Sequence, residues 1–288
     1  MTDAISLAII GGSGLYSMQG LESTEERTIS TPFGEPSAPI IVGLLEGQRV
    51  AFLARHGIGH HINPSEINYR ANIYALKSLG VEKIVSISAC GSLREDYAPG
   101  EIVVPDQLFD MTRDRKRTFF ENGLVSHISV ADPFCPDLSA QIMKTVRDTG
   151  ATVHKGGSFI TIEGPRFSTR AESNTFRSWG MSIIGMTASP EAFLAREAEI
   201  CYGVMAHVTD YDVWHLSEAP VTLEIVIKTL MKNTEVAQEA VRNLAREYSA
   251  KRECTCGNAL ADALITQPRV ILSETRERLD LLVKKYLK

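Results

Sequence analysis

The segment AHVTDYDVWH, residues 206 to 215, carries two carboxylates one residue apart, Asp210 and Asp212, directly after the apolar run ICYGVMAHV. If that run is a buried strand, residues i and i+2 point to the same side. Both carboxyls then project into one small volume, and Tyr211 faces the other way. Crowded carboxylates repel, so one of them keeps its proton to a higher pH. Such a group can deliver a proton to a leaving group. Two solvated acids in a polar loop are the alternative, and this fragment alone does not choose between them.

Further chemistry-bearing residues fall in short polar clusters. IIGGSGL (9 to 15) surrounds Ser13 with glycines whose backbone N–H groups can approach an anion, with a hydroxyl donor beside them. It matches neither the dinucleotide fingerprint nor the P-loop. LARHG (53 to 57) supplies Arg55, a bidentate donor for phosphate, and His56, which can add a directed hydrogen bond. The neighbouring His60 and His61 are adjacent in the chain and do not converge on one ion. ISACGS (87 to 92) offers the Ser88 hydroxyl and the Ala89 amide, and GMT (185 to 187) offers Thr187 at the start of a helix, a natural anion site. Together these residues suit an anion about the size of inorganic phosphate.

The elements that must position them are short apolar runs alternating with longer stretches of helical period. Strands are expected at 6–10, 39–45, 49–55, 83–90, 101–105, 158–164, 182–186 and 201–210. Helices are expected at 65–80, 135–150, 168–180, 188–199, 221–250 and 273–287, the first three closing on Gly80, Gly150 and Gly180. Strands this apolar, separated by helices, imply an α/β fold with a mixed, mostly parallel central sheet flanked by helices. No repeat or linker divides the chain, so residues 1–288 read as a single domain with a helical C-terminal part from about 221. Ligands of such sheets sit beyond the carboxyl ends of the strands, where every polar cluster above falls.

Composition narrows the function classes. The chain has 288 residues, is 44% hydrophobic, and carries 30 Lys plus Arg against 35 Asp plus Glu, a formal charge of −5. That balance offers no footprint for nucleic acid. With no apolar run of about 18 residues and no signal-peptide pattern, a cytoplasmic protein without membrane contact is expected. Of the five cysteines, Cys90, Cys135 and Cys201 read as small buried hydrophobes, and Cys254 and Cys256 as structural or redox-labile. A zinc site would need a second pair or histidines at ligand spacing, and none follows the Cys-Thr-Cys, so no metal is expected.

IIGGSGL, LARHG, NYRANIYALK, ACGSLRE, ADPFCP, TIEGPRFSTRAES, GMT with its following PE, and TDYDVW occur in this order over roughly residues 5 to 245. In order and spacing they resemble the methylthioadenosine-cleaving branch of the trimeric nucleoside phosphorylase family. The resemblance implies phosphorolysis of 5′-methylthioadenosine to adenine and 5-methylthioribose 1-phosphate. Inorganic phosphate is then a co-substrate, no cofactor is needed, and the chain works as a homo-oligomer, a trimer or a dimer of trimers. It implies that Ser13, Arg55, His56, Ser88, Ala89 and Thr187 hold phosphate. Met186, Phe167 and Tyr211 join the nucleoside site, with Met186 covering the ribose and Phe167 near sugar and purine. Asp210 is implied as donor to purine N7, and Asp212 as acceptor from the 6-amino group or as a prop for Asp210.

Relatives that cleave 6-oxopurine nucleosides carry Asn at the position of Asp210 and Glu at that of Ser168, so this pairing favours adenine. Phosphorylases of 6-oxopurine nucleosides or methylthioinosine, a hydrolytic nucleosidase and a silent nucleotide binder are the alternatives. Leu223 and Val226 stand where the family places the 5′-methylthio group, a pocket that does not firmly reject a hydroxyl. The Cys-Thr-Cys is similar to a Cys-x-Cys of some archaeal members, and the tail beyond it aligns with none of the motifs above.

Overall fold

The structure, a computed structural model, describes residues 5–12, 18–215 and 223–287. Ser13 lies outside the described residues, and the side chains of Leu223 and Val226 are likewise outside the description. Eleven strands form one mixed sheet: β1 (Leu7–Gly11), β2 (Glu22–Arg27), β3 (Ile40–Leu45), β4 (Gln48–Ala54), β5 (Lys83–Ser92), β6 (Ile102–Val104), β7 (Gln107–Met111), β8 (Val153–Lys155), β9 (Ser158–Ile162), β10 (Ile183–Gly185) and β11 (Cys201–Asp210). Among the described residues six α-helices surround it: α1 (Tyr69–Ser78), α2 (Pro136–Arg147), α3 (Arg170–Ser178), α4 (Ala188–Glu197), α5 (Leu223–Arg246) and α6 (Ser273–Val283).

The alternation of strand side chains splits the core in two. Ala8 and Ile10 of β1 pack with Ile73 and Leu76 of α1, Ala192 and Ala195 of α4, and Leu279 of α6. Leu7 and Ile9 face the opposite side, against Ile142 of α2 and Val241 and Leu244 of α5. Each of the leucine, isoleucine and valine side chains among these, fully buried, contributes roughly 1.5–3 kcal/mol. Helices therefore cover both faces, as the apolar strands require.

Eight strands and six helices fall where the sequence pattern puts them. The helix expected from 65 begins at Tyr69, because Asn63 Oδ1 accepts from the amides of Ser65 and Glu66 (2.9 and 3.2 Å), and Asn68 then caps the helix through Ala71 N. α3 starts on a capping box of Thr169 and Glu172. Three strands were not anticipated: β2, β7 and β8. The sequence of β2, ESTEER, is exposed except at half-buried Glu25 and its backbone pairs with β3 alone among the described strands, so it has no apolar face to betray it.

The sheet is laid out around β5. On one edge β5 runs parallel to β11 from Lys83↔Cys201 to Cys90↔Val208. On the other edge it pairs in parallel with β1 only over Lys83 to Ser86, and antiparallel with β10 only at Gly91 and Ser92. β1 and β10 thus meet head to head along one edge of β5, with residues 87–90 between their carboxyl ends. β9 runs parallel to β10. The clusters after β9 and β10 come from strands opposed to β1, β4, β5 and β11, which corrects the expectation of a single shared sheet edge. They converge because the two strand sets point at each other.

Candidate active site

Arg55 follows β4, held in place by its own N–H, which donates to Gly11 O of β1 (3.0 Å). Arg55 is 1% exposed, and its guanidinium grips Glu191 with two bonds, Nε to Oε2 (2.8 Å) and Nη2 to Oε1 (2.9 Å). Nη2 also donates to Ser86 Oγ (2.7 Å) and Nη1 to Ile87 O (3.2 Å). Burial works against the Arg55 charge, and Glu191 more than offsets it, so the pKa lies above its ordinary value. Glu191 accepts further from the Tyr202 hydroxyl (2.7 Å). From Ser86 a file of hydroxyls continues to Ser88 Oγ (3.3 Å) and on to Thr187 Oγ1 (3.4 Å). Arg55, Ser88 and Thr187 therefore come together across the gap between β1 and β10. Ala89 lies beside them on β5, half-buried.

Two anticipated details differ. Most Arg55 donors are spent inside the protein, so only the remaining N–H on Nη1 and its field would be left for an anion. Thr187 is the N-cap of α4, yet Ser189 has extended torsions (φ −104°, ψ 137°), so the helix's free amides do not open beside Thr187. The hydroxyl, rather than a helix terminus, is what Thr187 brings.

His56 stacks on His60 with ring centroids 4.2 Å apart. His56 Nδ1 lies 2.9 Å from Ile62 O, which can only accept, so Nδ1 carries the proton and Nε2 is the bare acceptor. Burial and the Arg55 cation push its pKa down to about 4, and the imidazole is neutral near pH 7. An anion placed against Nε2 would have to bring the proton of that bond. His61 packs on Gly57 instead, its Nδ1 against Ile58 O.

At the end of β11 the two aspartates converge, by a route other than strand alternation. β11 ends at Asp210, whose Oδ1 accepts from Asp212 N (2.7 Å), an Asx turn that sets Asp212 in the left-handed region (φ 52°). Asp210 Oδ2 accepts from Thr209 Oγ1 (2.7 Å), which also lies 3.2 Å from Cys90 O. Burial, opposed by those two hydrogen bonds and aided by Asp212, pushes the Asp210 carboxyl up to about 6. Asp212 is buried too, and burial raises its pKa while Ser173 and Ser168 oppose the rise. Asp212 Oδ2 and the Ser168 and Ser173 hydroxyls are buried and lack hydrogen-bond geometry with any described residue. A Cβ on Gly91 would stand 3.0 Å from Asp210 Oδ1 and 3.3 Å from Asp212 Cβ, so glycine leaves room for the acid pair.

Residues 6–248 match the Phosphorylase superfamily. The chain belongs to this superfamily. It is 52% identical over 282 residues to the S-methyl-5′-thioadenosine phosphorylase of Geobacter sulfurreducens, covering 98% of this chain and 99% of that protein. It is 54% identical over 263 residues to that of Hyperthermus butylicus, covering 90% and 95%. Among solved structures, a methylthioadenosine phosphorylase from an antarctic soil metagenomic library superposes with a TM-score of 0.92 at 46% identity, covering 98% of this chain and all of that one. A variant of the adenosine/methylthioadenosine phosphorylase of Schistosoma mansoni, in complex with methylthioadenosine, gives 0.83 at 35% identity, covering 89% and 96%.

Within this phosphorylase fold the other anticipated residues are more loosely placed. Met186 is half-buried against Gly164, and its carbonyl accepts from Arg115 Nη1 (2.7 Å). Phe167 is 42% exposed and makes no described contact with the aspartates. Tyr211 turns away, stacked on His215 (4.6 Å) and edge-on to Trp214. Sequence reasoning missed Glu191, Thr209, Ser173 and the Arg115 hub. Arg115 bonds Glu163, Tyr69 and the carbonyls of Met186 and Ser189, tying the turns after β9 and β10 together. The charge of Glu191 inside the apolar ASPEAFLA was the one available signal.

Proposed function

We propose that this chain cleaves 5′-methylthioadenosine by phosphorolysis, releasing adenine and 5-methylthioribose 1-phosphate. The observation that carries the reading is Asp210, a carboxyl pushed up to about 6 beside a second buried carboxyl, in a chain half identical to S-methyl-5′-thioadenosine phosphorylases. A phosphate oxygen bonds to C1′ as the C1′–N9 bond breaks, and the bonding electrons leave on the purine. Asp210 gives its proton to N7, so adenine departs neutral. Asp212, aided by Ser168 and Ser173, accepts from the 6-amino group. Phosphate lies among Ser13, Arg55, His56, Ser88, Ala89 and Thr187, arriving as hydrogen phosphate with its O–H toward His56 Nε2. Met186 covers the ribose, Phe167 and Tyr211 border the nucleoside, and Leu223, at the start of α5, is the residue assigned to the 5′-methylthio group. The enzyme needs no cofactor beyond its co-substrate and works as a cytoplasmic homo-oligomer, one domain per chain.

Adenine release from methylthioadenosine, followed with and without phosphate, tests this. Release is expected only with phosphate or arsenate. Equal release in phosphate-free buffer would mean hydrolysis, and preference for methylthioinosine would mean a 6-oxopurine enzyme.

A further inference from the structure

On the far side of the sheet from the hydroxyl file, four of the five cysteines meet. Cys135 precedes α2, Cys201 opens β11, and Cys254 and Cys256 follow α5. The four sulfurs all lie within 4.8 Å of one another, three of the residues buried and Cys254 half-buried. All are free thiols: the Cys201 and Cys254 sulfurs are 3.4 Å apart, too far for a disulfide. We propose that Cys135, Cys201, Cys254 and Cys256 form a four-thiolate site for one zinc-class divalent cation.

The spacing suits a single ion. Four thiolates arranged tetrahedrally at a Zn–S distance of about 2.3 Å stand about 3.8 Å from each other, inside the span seen here. A cluster of several irons would hold its ligands farther apart. The surroundings suit the charge as well. One divalent cation with four thiolates carries a net charge of −2, and two arginines stand beside the sulfurs. Arg196 Nη1 donates to Cys256 Sγ (3.3 Å), and Arg252 feels the field of Cys201 and Cys254. Cys135 is the N-cap of α2 but spends no side-chain bond on capping, so its sulfur is available at the positive end of a helix. Sequence spacing hid this site because the second pair lies upstream, on two elements that the sheet brings to the Cys-Thr-Cys; Cys135 N donates to Tyr202 O (2.8 Å) at that junction. The ion would clamp the chain after α5 to the start of the strand that ends in Asp210.

The test uses the full chain purified under reducing conditions, with zinc and cobalt as probes. One zinc per chain is expected by elemental analysis. After exchange, cobalt is expected to show the visible bands of a tetrahedral tetrathiolate. Cys90→Ser retains the bands, Cys256→Ser loses or shifts them, and Arg196→Gln lowers zinc affinity about 10–100-fold, as loss of an outer-shell partner does. Protein that holds no zinc and takes up no cobalt would overturn the proposal. So would thiol titration of the unfolded, unreduced chain that finds these four cysteines paired as disulfides. Because the wild-type spectrum alone decides the matter, misfolding of a variant does not blunt the test.

Discussion

Replacing Asp210 by Asn should make the protein a worse catalyst and a more stable fold, and the second effect can be worked out from the site. The carboxyl titrates at about 6 in the folded chain against an ordinary value of 3.8. A carboxyl whose folded pKa is raised adds most to stability below its unfolded pKa, and that advantage is lost as pH rises through the folded value. At about 1.4 kcal/mol per pH unit, the difference between the two values amounts to about 3 kcal/mol, charged against the fold above pH 6 and absent below pH 3.8. Asparagine escapes this cost and fits the same bonds. Its Oδ1 accepts from Asp212 N, and its Nδ2 donates to Thr209 Oγ1, which turns its own proton to Cys90 O. Denaturant unfolding of both proteins at pH 4 and pH 8 should show Asp210→Asn gaining up to about 3 kcal/mol on going to pH 8. In parallel, kcat/KM on methylthioadenosine should fall about 10²-fold or more, within the range for loss of a general acid. Activity on methylthioinosine should fall less, because an amide donates to N7 without supplying a proton. A stability difference that is the same at both pH values would refute the raised carboxyl. An unmoved ratio of the two substrate specificities would refute its role in reading the purine.

Thr209→Val removes a hydroxyl that lowers the Asp210 pKa, so the alkaline limb of kcat/KM should move upward by about 1–2 pH units, the worth of a hydrogen bond to a charged group. A limb that stays put or moves down, measured at the same phosphate concentration, would exclude this coupling. Glu191→Gln strips the partner from a buried guanidinium and should destabilise the fold by about 3–5 kcal/mol, with phosphate KM rising more than nucleoside KM. A normal melting curve would show that Arg55 does not depend on that pair.

The parts of the fold legible in the sequence were those whose burial leaves a pattern. ICYGVMAHVTD reads as β11 because both its faces are covered, whereas ESTEER is an exposed edge strand whose pairing with β3 has no counterpart in its own composition. The direction of β10 was not legible, since three apolar residues fit either orientation and the tertiary layout chooses. The aspartates were recognisable as a pair, but the Asx turn that joins them depends on where β11 stops. Ser86, Thr209 and Ser173 are ordinary hydroxyls in sequence and gain meaning only from distances across the sheet. The four cysteines illustrate the limit most plainly: 119 residues separate Cys135 from Cys254 in the chain, and no local spacing rule spans that interval.

The interruption along β5 ties binding to folding. Backbone groups of residues 87–90 face a stretch of sheet edge where β1 has already ended and β10 has not yet begun. One of them, Ile87 O, is satisfied by Arg55. An anion lodged there, as the proposed site requires, would take the structural place of a missing strand segment. On the proposed site, phosphate would then act as a folding ligand as well as a reactant. At 100 times its dissociation constant a ligand selective for the folded chain adds about 2.7 kcal/mol. Cellular phosphate would thereby set the working stability of the protein, and a chain starved of phosphate would be the one most exposed to proteolysis.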